Sequence, residues 1–121
     1  STVGGAYKRM AVEATTNITA SASVVSNPQM ASGKRVFAVQ FKVITALAGG
    51  ELWDAAFSTG LTTSLVTAGA VAAGTTITKQ FIAEITAGNL AVTYTKNGGG
   101  SFTAQGSIMA IIYYEDFDAV Y

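Results

Sequence analysis

Apolar and polar residues alternate with a period of two along most of this chain. From Phe37 to Leu47 the odd positions Phe37, Val39, Phe41, Val43, Thr45 and Leu47 face one way, with Ala38, Gln40 and Lys42 between them. Successive side chains of a strand point to opposite faces, so this segment is expected as a long strand with one dry face. Ile77 to Thr86 repeats the device, with Ile77, Phe81, Ala83 and Ile85 on one side and Thr78, Gln80, Glu84 and Thr86 mostly on the other. Leu90, Val92 and Tyr94 against Ala91, Thr93 and Thr95 make a third strand, rich in the β-branched and aromatic residues that suit a pleated, half-buried surface. Lys8 to Ala14 alternates with Met10, Val12 and Ala14 inward, and Ile18 to Val25 alternates more weakly.

Turn signals fall between these segments. Gly88-Asn89 predicts a tight hairpin that pairs the strands on either side of it. Asn27-Pro28 and Gly33 mark a loop, and Asn97-Gly98-Gly99-Gly100 closes the third strand before Ser101 to Ala104 returns briefly. Ile108 to Tyr114 is apolar on both faces, which suits either a central strand covered on two sides or a strand whose outer face meets another subunit. Glu51 to Phe57 admits a helical turn or a strand. Leu61 to Thr67 reads as a strand, and Ala68 to Gly74 as a loop, because Gly69 and Gly74 oppose a helix there. The sum is about seven or eight strands and no convincing helix. That predicts an all-β fold, an antiparallel β-sandwich of jelly-roll type.

The chain has 121 residues, enough for a single sandwich domain, here expected with an N-terminal arm over about residues 1–6 and a C-terminal tail over about 115–121. Cys and His are both absent, which removes disulfides, thiolate and imidazole metal sites, and the Ser-His and Cys-His nucleophiles. Seven cationic and seven acidic residues give a formal net charge of zero, so no basic excess exists to neutralise phosphates or address a membrane. Leu61 to Gly74 is too short and too polar to span a bilayer. No nucleic acid, membrane, metal or cofactor is expected as a partner, and no enzymatic activity.

Candidate chemistry is sparse. Glu115, Asp116 and Asp118 form a carboxylate cluster, open to reading as a hard-cation site but lacking the Gly and closing Glu of a calcium loop, so a solvated acidic segment is favoured. Gly98-Gly99-Gly100 lacks the Lys-Ser/Thr of a phosphate loop and reads as a hairpin tip. Trp53 with Phe57, and Tyr94 with Tyr113, suit a sugar-stacking platform or, more commonly, a core. Charge is segregated: Lys8, Arg9, Lys34 and Arg35 lie early and the acidic cluster late, an arrangement able to set register between copies. Phe117, Val120 and Tyr121 lie beyond the last expected strand, and apolar side chains placed there need a surface to dock on.

The order Val43-Ile44-Thr45-Ala46, a Gly-broken middle, Leu90-Ala91-Val92-Thr93-Tyr94-Thr95, the Gly98-Gly99-Gly100 turn, Thr103-Ala104-Gln105-Gly106 and Ile111-Ile112-Tyr113-Tyr114-Glu115 resembles small virion structural proteins of tailed bacteriophages. The resemblance covers roughly Val36 to Glu115. It implies a β-sandwich that decorates or cements the head shell, located on the capsid surface after synthesis in the host cytoplasm. It further implies self-association, with a homotrimer expected, and contact with the major capsid protein or other virion proteins. Ile111, Tyr113, Phe117, Val120, Tyr121, Lys8 and Arg9 are the residues expected at such interfaces. The alternative is a tail-fibre or carbohydrate/receptor-binding module that uses Trp53 and nearby aromatics.

Overall fold

A computed structural model describes residues 8–26, 34–47, 51–58, 64–85, 90–102 and 105–116. Eight strands run in chain order: β1 (Lys8–Ile18), β2 (Ser23–Val25), β3 (Lys34–Thr45), β4 (Trp53–Phe57), β5 (Ser64–Gly69), β6 (Thr76–Ile85), β7 (Val92–Lys96) and β8 (Gly106–Asp116). They form two antiparallel sheets of four, ordered β1-β8-β3-β6 and β2-β7-β4-β5. First pairs with last, second with seventh, third with sixth and fourth with fifth. That nesting is a long hairpin rolled over on itself, the jelly roll.

The core lies between the sheets. Val36, Val39, Phe41 and Val43 of β3 and Ile108, Ala110 and Ile112 of β8 face Trp53, Ala55 and Phe57 of β4 and Val92 and Tyr94 of β7. Phe41, Trp53 and Tyr94 form its aromatic centre, with ring centroids 5.7 to 6.1 Å apart and steeply inclined planes. Edge-to-face contacts of this kind bring a ring's positive rim to its neighbour's negative face. The indole also donates from Nε1 to the Ala70 carbonyl at 2.9 Å. Its ring lies so close to Gly69 that a Cβ there would sit 2.5 Å from Trp53 Cε2, so only glycine fits. Beside it Asp54 Oδ1 accepts from Ala68 N and Asn97 Nδ2, holding Ala68 at a φ of 53°.

Several expectations change. The Glu51 to Phe57 segment resolves as a strand over Trp53–Phe57, and the strand expected from Leu61 begins at Ser64 in the described residues and runs on to Gly69. The weak alternation from Ile18 to Val25 belongs to two elements: β1 continues to Ile18, and β2 is only three residues long. Gly88-Asn89 lies outside the described residues, but the strands it was expected to pair are in different sheets: β6 pairs with β3, and β7 with β2 and β4. A two-residue signal reports a reversal of the chain, not which sheet the next strand joins. The alternation in β3 also breaks. A bulge between Val36 and Ala38 buries Val36 and turns Phe37 to the opposite face, and a second irregularity leaves Thr45 exposed. Ser101 and Phe102 are not a strand, although Phe102 is buried in the core, and Thr103 and Ala104 lie outside the described residues.

Candidate functional site

The strongest candidate surface is the outer face of the β1-β8-β3-β6 sheet. β8 is central, and its side chains alternate: Ile108, Ala110 and Ile112 are fully buried inside, while Met109, Ile111 and Tyr113 are half-buried outside. The cross-strand register lays Glu13, Ile111, Gln40 and Thr78 in one row and Thr15, Met109, Lys42 and Thr76 in the next. Tyr113 lies beside Phe37, the bulged residue of β3, with centroids 6.2 Å apart. The Arg9 guanidinium reaches across β8 to stand 5.2 Å from the Phe37 ring centre, a cation over an aromatic face. The result is an apolar stripe bordered by Glu13 on one side and Lys42 on the other. Strands of this length, at a rise of about 3.3 Å per residue and a spacing of about 4.8 Å, make a face of roughly 700 Å2. A standard protein interface takes about 800 Å2 from each partner.

One end of that sheet brings charged positions into register. Arg9, Glu115 and Arg35 stand in register on β1, β8 and β3, and so do Lys8, Asp116 and Lys34. Glu115 is 4% exposed and its Oε1 accepts a hydrogen bond from Arg35 Nη2, forming an ion pair. The expected solvated reading of Glu115 is therefore corrected. The two charge clusters, distant in sequence, already meet inside one chain because β1 and β3 flank β8.

Of the expected interface residues, Ile111 and Tyr113 share the outer face, Arg9 is exposed beside it, and Lys8 begins β1. Phe117, Val120 and Tyr121, together with Asp118 and the expected arm over residues 1–6, lie outside the described residues. Phe37 was not anticipated, although the unbroken apolar run Val36-Phe37-Ala38-Val39 was the available signal of a bulge. Trp53, Phe57 and Tyr94 are buried in the core, so of the aromatics proposed for sugar stacking Tyr113 alone lies on the outer face.

The described residues offer little for acid–base chemistry. A cleft of about 440 Å3 at one end of the sandwich is lined by Asn17, Ile18, Thr19, Thr45, Gln105, Gly106 and Ser107, none of them titratable. No group of three or more carboxylates able to hold a metal occurs among the described residues, and no helix there is long and apolar enough to cross a membrane. Burial raises the Tyr94 phenol far above its ordinary value, and its hydroxyl has no hydrogen-bond partner, which marks it as a core group held neutral.

No protein-family model matches the chain, and no curated protein matches its sequence. Solved structures do match. A chain of the cyanophage Pam1 capsid asymmetric unit has a TM-score of 0.62 at 15% identity, over 94% of this chain and 89% of that one. The fold is one found in phage capsids. The capsid of Ralstonia phage GP4 contributes a second likeness, with a TM-score of 0.50 at 11% identity over 93% of this chain and 85% of that one. The VP2 subviral particle of infectious bursal disease virus contributes a third, with a TM-score of 0.52 at 10% identity, covering 99% of this chain but 35% of that one. At these identities the likeness is one of fold. It agrees with the sandwich implied by the resemblance to phage virion structural proteins.

Proposed function

We propose that this protein is a phage virion structural protein that decorates or cements the capsid, through self-association and contacts with neighbouring shell subunits. The observation that carries the reading is the match, over nearly the whole of both chains, to a chain of a phage capsid. The apolar stripe of Met109, Ile111 and Tyr113 supports it, because a half-buried apolar row on an outer sheet face suits a partner better than water. Arg9 borders that face at one end and Lys8 begins the same strand, while Phe117, Val120 and Tyr121 supply apolar groups for attachment to the shell. The homotrimer rests on the resemblance, as does placement on the capsid surface. The carbohydrate-binding alternative loses its platform with the burial of Trp53.

The test is to supply the tagged chain during phage growth and band the particles. The chain should travel with heads, and deletion of residues 117–121 should weaken that association while leaving the melting temperature of the isolated chain nearly unchanged. Recovery of the full-length chain only in the soluble fraction overturns the reading. A large stability loss on truncation with binding retained makes the tail part of the chain's own core instead.

A further inference from the structure

The four sheet edges are not alike. β2 is three residues long, too short to template much. β5 is broken by register shifts against β4 and carries the left-handed Ala68 one residue before its end. β6 carries Lys79 opposite Val39, a charge at an inward position, which is one way that natural edges resist further pairing. β1 has none of these features. It runs 11 residues without Gly or Pro, pairs with β8 along its whole length without a register shift, and has no strand on its other side among the described residues.

Such an edge invites another strand, and its own sequence specifies which. The outward positions of β1 read Arg9, Ala11, Glu13, Thr15 and Asn17. Laid antiparallel to a second β1 about a two-fold axis at Ala11, Arg9 of each copy stands opposite Glu13 of the other. Ala11 then meets Ala11, and Met10 meets Val12 on the inner side. Moving the axis to residue 9 opposes Arg9 to Arg9, and moving it to residue 13 opposes Glu13 to Glu13. Like charges directly opposite are destabilising. Axes at residues 10 and 12 leave Arg9 and Glu13 without charged partners. Only the Ala11 axis satisfies both charges.

We propose that β1 pairs with β1 of a second copy of this chain in that register, joining two four-stranded sheets into one continuous antiparallel sheet. The inference rests on the self-association in the proposed function and names its surface. Arg9 exchanges its position over Phe37 for Glu13 of the second copy, a move open to an exposed, flexible side chain. A two-fold contact of this kind closes on itself. A threefold association uses another surface, and the β1 contact doubles whatever mass that surface produces.

The experiment is sedimentation of the full chain beside Arg9→Glu, Glu13→Arg and the double charge swap, with circular dichroism to verify that each is folded. Both side chains are exposed, so folding should survive. Each single substitution should halve the assembled mass, weakening association about tenfold or more through like charges opposed twice per interface. The double swap should restore it. In the unmodified chain the β1 amides should exchange with solvent more slowly as protein concentration rises. Single substitutions that leave the mass unchanged, a double swap that stays dissociated, or β1 exchange independent of concentration overturns the pairing. Charge-dependent assembly with no binding to particles sustains the pairing and overturns the virion reading.

Discussion

The two sheets meet across one core but are built differently. In the β1-β8-β3-β6 sheet the strands are 10 to 12 residues long, and β8 is hydrogen-bonded along its length on both sides. In the β2-β7-β4-β5 sheet they are 3 to 6 residues long, and β4 shifts register twice against β5. The short sheet supplies Trp53 and Tyr94, the two largest fully buried side chains, and stitches itself together locally through Asp54 and the Ala70 carbonyl. The long sheet supplies the apolar outer stripe and the unprotected edge. Large anchored side chains compensate for short ladders in one sheet, whereas long ladders free the other to present a surface.

Substitutions that separate these roles should differ in kind as well as size. The largest expected effect is Trp53→Ala, which removes the aromatic centre and should destabilise the chain by about 3–5 kcal/mol in denaturant titration. An effect below about 1 kcal/mol would mean that the short sheet does not depend on this anchor.

Tyr94→Phe should act in the opposite direction. The hydroxyl is buried without a partner, and an unsatisfied buried group costs about 1–3 kcal/mol, so its removal should raise stability by about 1 kcal/mol at neutral pH. The phenol also links folding to pH. In the unfolded chain it ionises near its ordinary value of 10.0, while burial in the folded state raises that value. The folded state therefore holds the proton more tightly, and this group's contribution is fully present below pH 10.0 and lost as pH rises above it. Thermal melts across the alkaline range should show a stability loss that Tyr94→Phe reduces. Identical profiles would mean that the phenol titrates alike in the folded and unfolded chain.

The smallest stability effect belongs to the outer face. Ile111→Ser should change unfolding free energy by less than about 1 kcal/mol, since the position is half-buried on a central strand. It should nevertheless weaken attachment to particles. A change in stability as large as that of Trp53→Ala, with attachment intact, would assign the stripe to the chain's own folding and erase the distinction between the sheets.

Several features were legible in the residues because they follow from local periodicity. The alternations Val39-Phe41-Val43 and Val92-Tyr94 placed real strands with the right side inward, and the two-faced apolarity of Ile108 to Tyr114 marked the central strand with its outer stripe. Phe37 shows the limit of that method. Its inward assignment assumed an unbroken pleat, and one bulged residue reversed it, turning an expected core group into the aromatic platform under Arg9.

Side-chain period, turn chemistry and composition are local properties, so the sequence by itself determined an all-β chain of about eight strands without Cys or His chemistry. Pairing is a long-range property. Only the tertiary structure decided that β6 and β7 belong to different sheets, and that Arg35 meets Glu115 across 80 residues. It likewise decided that Trp53 fills the core rather than lining a surface groove. Each of these outcomes depends on which distant strands best bury their apolar faces against one another, and a two-residue repeat carries no information about a strand's neighbours.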